Sequence, residues 1–151
     1  MTSLGLLHFA LMIAVLGLGM TVFLQPKGTR QHRLKGRAFV GMMLISNVAV
    51  FGIYQDSPNM GVFHYLAIIS IVSLVLAVAL LRVPGLSQGR RVAHGHVMLW
   101  TFGGVVAAGL GQGATALGYS PWPAIVLALL CIALIAAKYD FAKAVRRTPR
   151  N

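Results

Sequence analysis

Acidic side chains are almost missing from this chain: its 151 residues include only two, Asp56 and Asp140. They fall on opposite sides of the apolar stretches, which excludes acid/base catalysis by a pair of carboxylates. Cysteine is nearly missing too. The single Cys131 lies inside an apolar run, so neither a disulfide framework nor a cysteine-based metal site can be built, and it reads as a small packing residue. There is no Gly-rich phosphate loop and no Ser-His-Asp set. Charge of either sign is scarce, 10% of residues where a soluble domain carries about 25%, while 58% are hydrophobic and the mean hydropathy is +0.80.

The thirteen Lys and Arg residues are confined to three short stretches, residues 25–37, 82–91 and 138–150. A charged side chain at the centre of a bilayer costs roughly 2.5–3.5 kcal/mol on insertion scales, so a spanning chain keeps its charges at its connections. The net charge of +11 therefore reads as snorkelling anchors rather than as the continuous basic face that a nucleic acid needs.

Five apolar stretches approach or reach the roughly 17–25 residues that cross about 30 Å of hydrocarbon. They are Leu4–Leu24, Ala38–Tyr54, Val62–Leu81, Val92–Gly118 and Ala124–Ala137. The expected fold is an all-α integral membrane bundle of about five helices in one domain, 1–151, with a core at 4–118 and a C-terminal helix and basic tail at 121–151. Pro or Gly punctuates each connection, as in Gln25-Pro26-Lys27-Gly28 and Ser120-Pro121-Trp122-Pro123, and the short connections predict antiparallel neighbours.

The first connection, the third and the tail carry five, three and five basic residues, and the alternate connections carry none. The positive-inside rule then predicts an outer N-terminus and a cytoplasmic tail, with Tyr119 and Trp122 in the outer aromatic belt. The first segment lacks a basic n-region and a small-residue cleavage site, so it is expected to remain as the first helix. The expected location is a bacterial cytoplasmic membrane.

Five histidines remain to carry chemistry. His8 and His64 fall near the outer ends of the first and third helices, and His32, His94 and His96 near the inner ends of the second and fourth. His94 and His96 point roughly 200° apart on a helix, so one of them can face the bundle. His94 heads the stripe Met98, Thr101, Val105, Ala108, Gln112 and Thr115, which holds the polar residues of that span. Polar groups in lipid face other helices, which selects His94. His96 shares a face with Trp100, Gly103 and Ala107, and sits at the lipid boundary or in a tight helix contact.

Bis-imidazole ligation of haem iron needs two neutral histidines on facing helices, an apolar slot and cations for the propionates. The inner pair, His32 and His94, has Arg33, Lys35, Arg37, Arg90 and Arg91 around it. The outer pair, His8 and His64, has no Lys or Arg and only Tyr54, Gln55, Asn59 and Tyr65. The blander readings are hydrogen-bonded interfacial anchors for His8 and His64, and contact with lipid phosphate for His32. Gly17, Gly19, Gly103, Gly104 and the GxxxG match Gly109–Gly113 read first as close helix packing and second as clearance for a cofactor. Ser46, Asn47, Ser70 and Ser73 are expected to bond between helices.

The stretch KGTRQHRLKGRAFV at 27–40, with His32-Arg33 and Gly36-Arg37, and HGHVM at 94–98, with His94 and Met98 four apart, resemble the bacterial family called domain of unknown function 2306. The resemblance covers roughly residues 4–118 and implies a small helical integral membrane protein with no assigned activity. A second resemblance is architectural: transmembrane di-haem cytochromes b also place histidine ligands on alternate helices near both faces. Their ligands lie deeper in their helices than His32 does, so that likeness implies an inner haem only if the second helix begins near Arg30.

Two functions follow as expectations. One is a b-type haem electron carrier or quinone-linked redox subunit using His8, His64, His32 and His94. The other is a non-catalytic accessory or assembly subunit, binding membrane partners or a second copy through the Gly-rich fourth helix. A zinc hydrolase would need three ligands and an acidic base, for which Asp56 is the one candidate.

Overall fold

Polar caps, not the ends of the apolar runs, decide where two of the helices start. In the computed structural model, which describes residues 3–53, 59–85 and 87–146, Thr29 Oγ1 accepts the His32 N–H at 3.1 Å and Ser87 Oγ accepts the Arg90 N–H at 3.3 Å. These are N-caps, and they start α2 (Arg30–Val50) and α4 (Gln88–Ala116) at Arg30 and Gln88 rather than at Ala38 and Val92. Long basic side chains can ride on a helix with their heads reaching back to water, so the charged segment is helical as well. The other helices are α1 (Ser3–Leu24), α3 (Val62–Arg82), α5 (Trp122–Lys138) and the short α6 (Phe141–Arg146). Tyr54, Gln55, Asp56, Arg147 and Arg150 lie outside the described residues.

The ends of the helices are closed by different means. Lys27 folds back to donate from Nζ to the carbonyls of Phe23 at 2.6 Å and Val22 at 3.2 Å, occupying acceptors that the end of α1 leaves open. Burial there pushes the Lys27 ammonium below the usual lysine range. At the end of α4, Gly118 takes φ +80° and the Tyr119 N–H reaches the Ala114 carbonyl at 2.9 Å, so the helix stops two residues before the expected Gly118.

Successive helices pack as antiparallel neighbours: the start of α1 meets the end of α2 through His8 and Ser46, and the end of α3 meets the start of α4 through Ala77 and His94. α1 also touches α4, which closes a four-helix ring. No Cα of α1 comes within 8 Å of α3, and none of α2 within 8 Å of α4, among the described residues. The two pairs are diagonals of the ring. α5 and α6 pack outside it, against α4.

The centre of the ring is filled by Val15, Phe39, Met43, Leu74, Ala77, Met98, Phe102 and Val105. In a bilayer, where lipid is as apolar as these side chains, close packing rather than flight from water would hold such helices together. Glycine makes that approach possible. A Cβ on Gly19 would lie 2.5 Å from the Phe102 ring, and one on Gly103 would lie 2.6 Å from Ile132 of α5. Three helices, α1, α3 and α4, are long and apolar enough to cross a membrane, and α5 is a shorter apolar helix of 17 residues. The chain has the make-up of a membrane protein.

Candidate functional site

The four candidate histidines fall on the two diagonals, His8 and His64 on α1 and α3, His32 and His94 on α2 and α4. Adjacent packed helices lie roughly 8–10 Å apart, so a diagonal of such a ring is about 11–14 Å. One pair lies at the end of the ring that carries the basic connections, and the other at the opposite, neutral end.

At the basic end, His94 Nδ1 lies 2.9 Å from the Ala77 carbonyl. A carbonyl only accepts, so Nδ1 carries the proton and the neutral ring keeps its lone pair on Nε2. That is the orientation a metal-binding imidazole takes when a backbone oxygen fixes its tautomer. His32 Nδ1 is buried without a hydrogen-bond partner among the described residues, and the ring sits within electrostatic range of Lys27, the Val22 carbonyl and His94. Gln25 Oε1, on the same α1–α2 connection, is also buried and unpartnered. The start of α2 at Arg30 is what carries His32 into this group.

At the neutral end each ring is engaged separately. His8 Nδ1 contacts Ser46 on α2 twice, the hydroxyl at 2.9 Å and the carbonyl at 3.1 Å. His64 Nδ1 accepts the Gly61 N–H at 3.1 Å, three residues back, which caps α3 and leaves the ring proton on Nε2. Its ring lies 5.8 Å from that of Phe51. In this form neither nitrogen of His64 offers a lone pair. Asn47 Nδ2 donates to Ser70 Oγ at 2.8 Å beside them, the kind of interhelical bond expected of these residues.

The stripe from His94 is buried at Met98, Thr101 and Val105 and emerges at Gln112 and Thr115, because a 29-residue helix outruns the core it serves. His96 is in a tight contact: its ring lies 4.5 Å from Phe141 of α6, and Phe141 is seated on Gly95. Sequence reasoning missed α6, a six-residue helix with no period to detect. It also missed the partner of His8, although His8 and Ser46 are equally far from the α1–α2 connection, 24 − 8 = 16 and 46 − 30 = 16 residues.

No protein-family model, curated protein or solved structure matches this chain. Among the described residues no three His, Cys, Asp or Glu side chains gather as a metal-binding group.

The other parts of the expected cofactor slot are divided. Gly19, Gly103 and Gly111 are filled by protein side chains, whereas Gly17, Gly104, Gly109 and Gly113 have nothing within 4 Å of an added Cβ. Two of the cations are already directed: Arg33 donates to the Gly28 carbonyl at 2.8 Å and Arg90 to the Pro84 carbonyl at 3.0 Å.

Proposed function

We propose that the chain is a redox subunit of a bacterial cytoplasmic membrane, spanning it five times with the N-terminus outside, and that its primary site is the His32–His94 pair at the basic, cytoplasmic end. The observation that carries this reading is one half-buried imidazole on each of two diagonal helices, one with an available Nε2 and the other with a buried Nδ1 that has no partner among the described residues. The donor set suits a b-type haem iron, which when bound would supply one-electron transfer to and from a partner such as a quinone. His94 orients its ring through Ala77. Lys27 and Arg90, at the same end of the ring, would supply positive charge for acidic substituents. His8 and His64 are a weaker second site, because ligation there requires His64 to give up its bond to Gly61.

The test is the visible spectrum of the full chain purified in mild detergent from haem-sufficient cells, oxidised and reduced, with haem counted per chain. The expected result is low-spin b-type bands at one haem per chain, lost in His94→Ala and in His32→Ala and kept in His96→Ala. A featureless wild-type spectrum rejects the reading. An accessory role is the second reading, supported by the α4 face of Gly109, Gln112 and Gly113, which is exposed in the monomer. Copurification of a membrane partner, lost when Gly109 and Gly113 become leucine, is its test.

A further inference from the structure

The first turns of α2 carry a second constellation that the histidine site does not use. Arg30, Arg33, Leu34 and Arg37 line a cleft of about 250 Å³, smaller than the roughly 300–1,000 Å³ of a pocket that engulfs an organic ligand. All four are exposed, Leu34 by 68%. Their spacing of three and four residues puts them on one stripe of the helix. The face that α2 buries, Phe39, Met43, Ser46 and Asn47, lies on the opposite side by the 100° step of the helix, so the cleft looks outward from the ring.

Two features say what the cleft takes. The first is charge. The described residues hold one acidic side chain, Asp140, and it accepts the Lys143 N–H in the tail. Three guanidiniums therefore face outward with no carboxylate in the described chain to balance them. Arg33 is held by the Gly28 carbonyl through one nitrogen, which orients its remaining donors. The second is what continues the stripe. Gly41, Ile45 and Val48 follow on the same face; Gly41 has nothing within 4 Å of an added Cβ, and Ile45 and Val48 are 60% and 63% exposed. An anion site set above an apolar track on the outer face of one helix matches a headgroup joined to acyl chains.

We propose that this face of α2 is a binding site for an anionic phospholipid, with the phosphate held by Arg30, Arg33 and Arg37 and an acyl chain lying over Gly41, Ile45 and Val48. The site requires α2 to lie in a bilayer and does not depend on the histidines. It takes a phosphodiester with attached chains, so free phosphate alone does not satisfy it.

The experiment is native mass spectrometry of the full chain in detergent, titrated with phosphatidylglycerol, with phosphatidylcholine of the same chains, and with inorganic phosphate as competitor. The wild type is expected to prefer phosphatidylglycerol. Each guanidinium removed, in Arg30→Gln, Arg33→Gln and Arg37→Gln, is expected to weaken binding roughly fivefold, equivalent to about 1 kcal/mol. A tail variant that removes three charges from outside this face, Lys138→Gln with Lys143→Gln and Arg146→Gln, is expected to change binding by less than about twofold. Single substitutions and circular dichroism guard against misfolding. Equal binding of the two lipids, equal loss in the tail variant, or displacement of the lipid by millimolar phosphate would overturn the proposal.

Discussion

His94 reaches from α4 to the main-chain carbonyl of Ala77 on α3, 2.9 Å away, whereas the Nδ1 of His64 receives a main-chain N–H, that of Gly61, at 3.1 Å. The two rings hold opposite tautomers for the same reason, an unchangeable backbone partner. In ¹⁵N-histidine spectra at a pH where both rings are neutral, His94 is expected to show a protonated Nδ1 and His64 a protonated Nε2. Matching tautomers at the two sites would contradict this geometry.

The bond from Asn47 to Ser70 joins α2 to α3 near the neutral end. Interhelical bonds in membranes average about 0.6 kcal/mol and reach about 1.7 kcal/mol. A double-mutant cycle with Asn47→Ala and Ser70→Ala, read by reversible unfolding in detergent, is expected to give a coupling in that range. Zero coupling would mean that the bond does not form.

Glycine substitutions should separate packed positions from open ones. Gly19→Ala drives a methyl to 2.5 Å from the Phe102 ring and is expected to cost about 1–3 kcal/mol. Gly17→Ala meets nothing within 4 Å and should be neutral or stabilising by about 0.5–1 kcal/mol. Thermal unfolding of the two variants side by side decides it.

Lys27→Met removes the donor to Val22 and Phe23 and is expected to cost about 0.5–1.5 kcal/mol, the net value of a hydrogen bond. Hydrogen exchange should quicken in the last turn of α1 and not at its start. Lys27→Arg, which keeps charge and donors, is expected to restore part of the protection.

The helical make-up was legible because charge exclusion and apolar length act over twenty residues at a time, and Val62–Arg82 matches its expected span to one residue. The start of α2 was not, since eight residues rich in Arg and Lys look like a loop to any hydropathy reading. Thr29 three residues before His32 was the available signal, a cap that only helical geometry uses. At the site, the assignment of histidines to two ends was readable from topology. The engagement of His64 with Gly61 was not, because a glycine N-cap has no side chain to announce it. The Phe141 contact depends on a chain reversal at Tyr139–Asp140 that carries neither Pro nor Gly.

Between the two histidine levels the ring is closed by Val15, Phe39, Met43, Leu74, Phe102 and Val105. The buried hydroxyl of Thr101 is turned to the Val97 carbonyl of its own helix at 2.8 Å. Among the described residues, this layer places no titratable side chain between His94 and Ser46. Under the proposed redox reading, electrons would tunnel through such a plug while hydrated ions would not pass, so the side chains that pack the helices together would also set the insulation between the two ends.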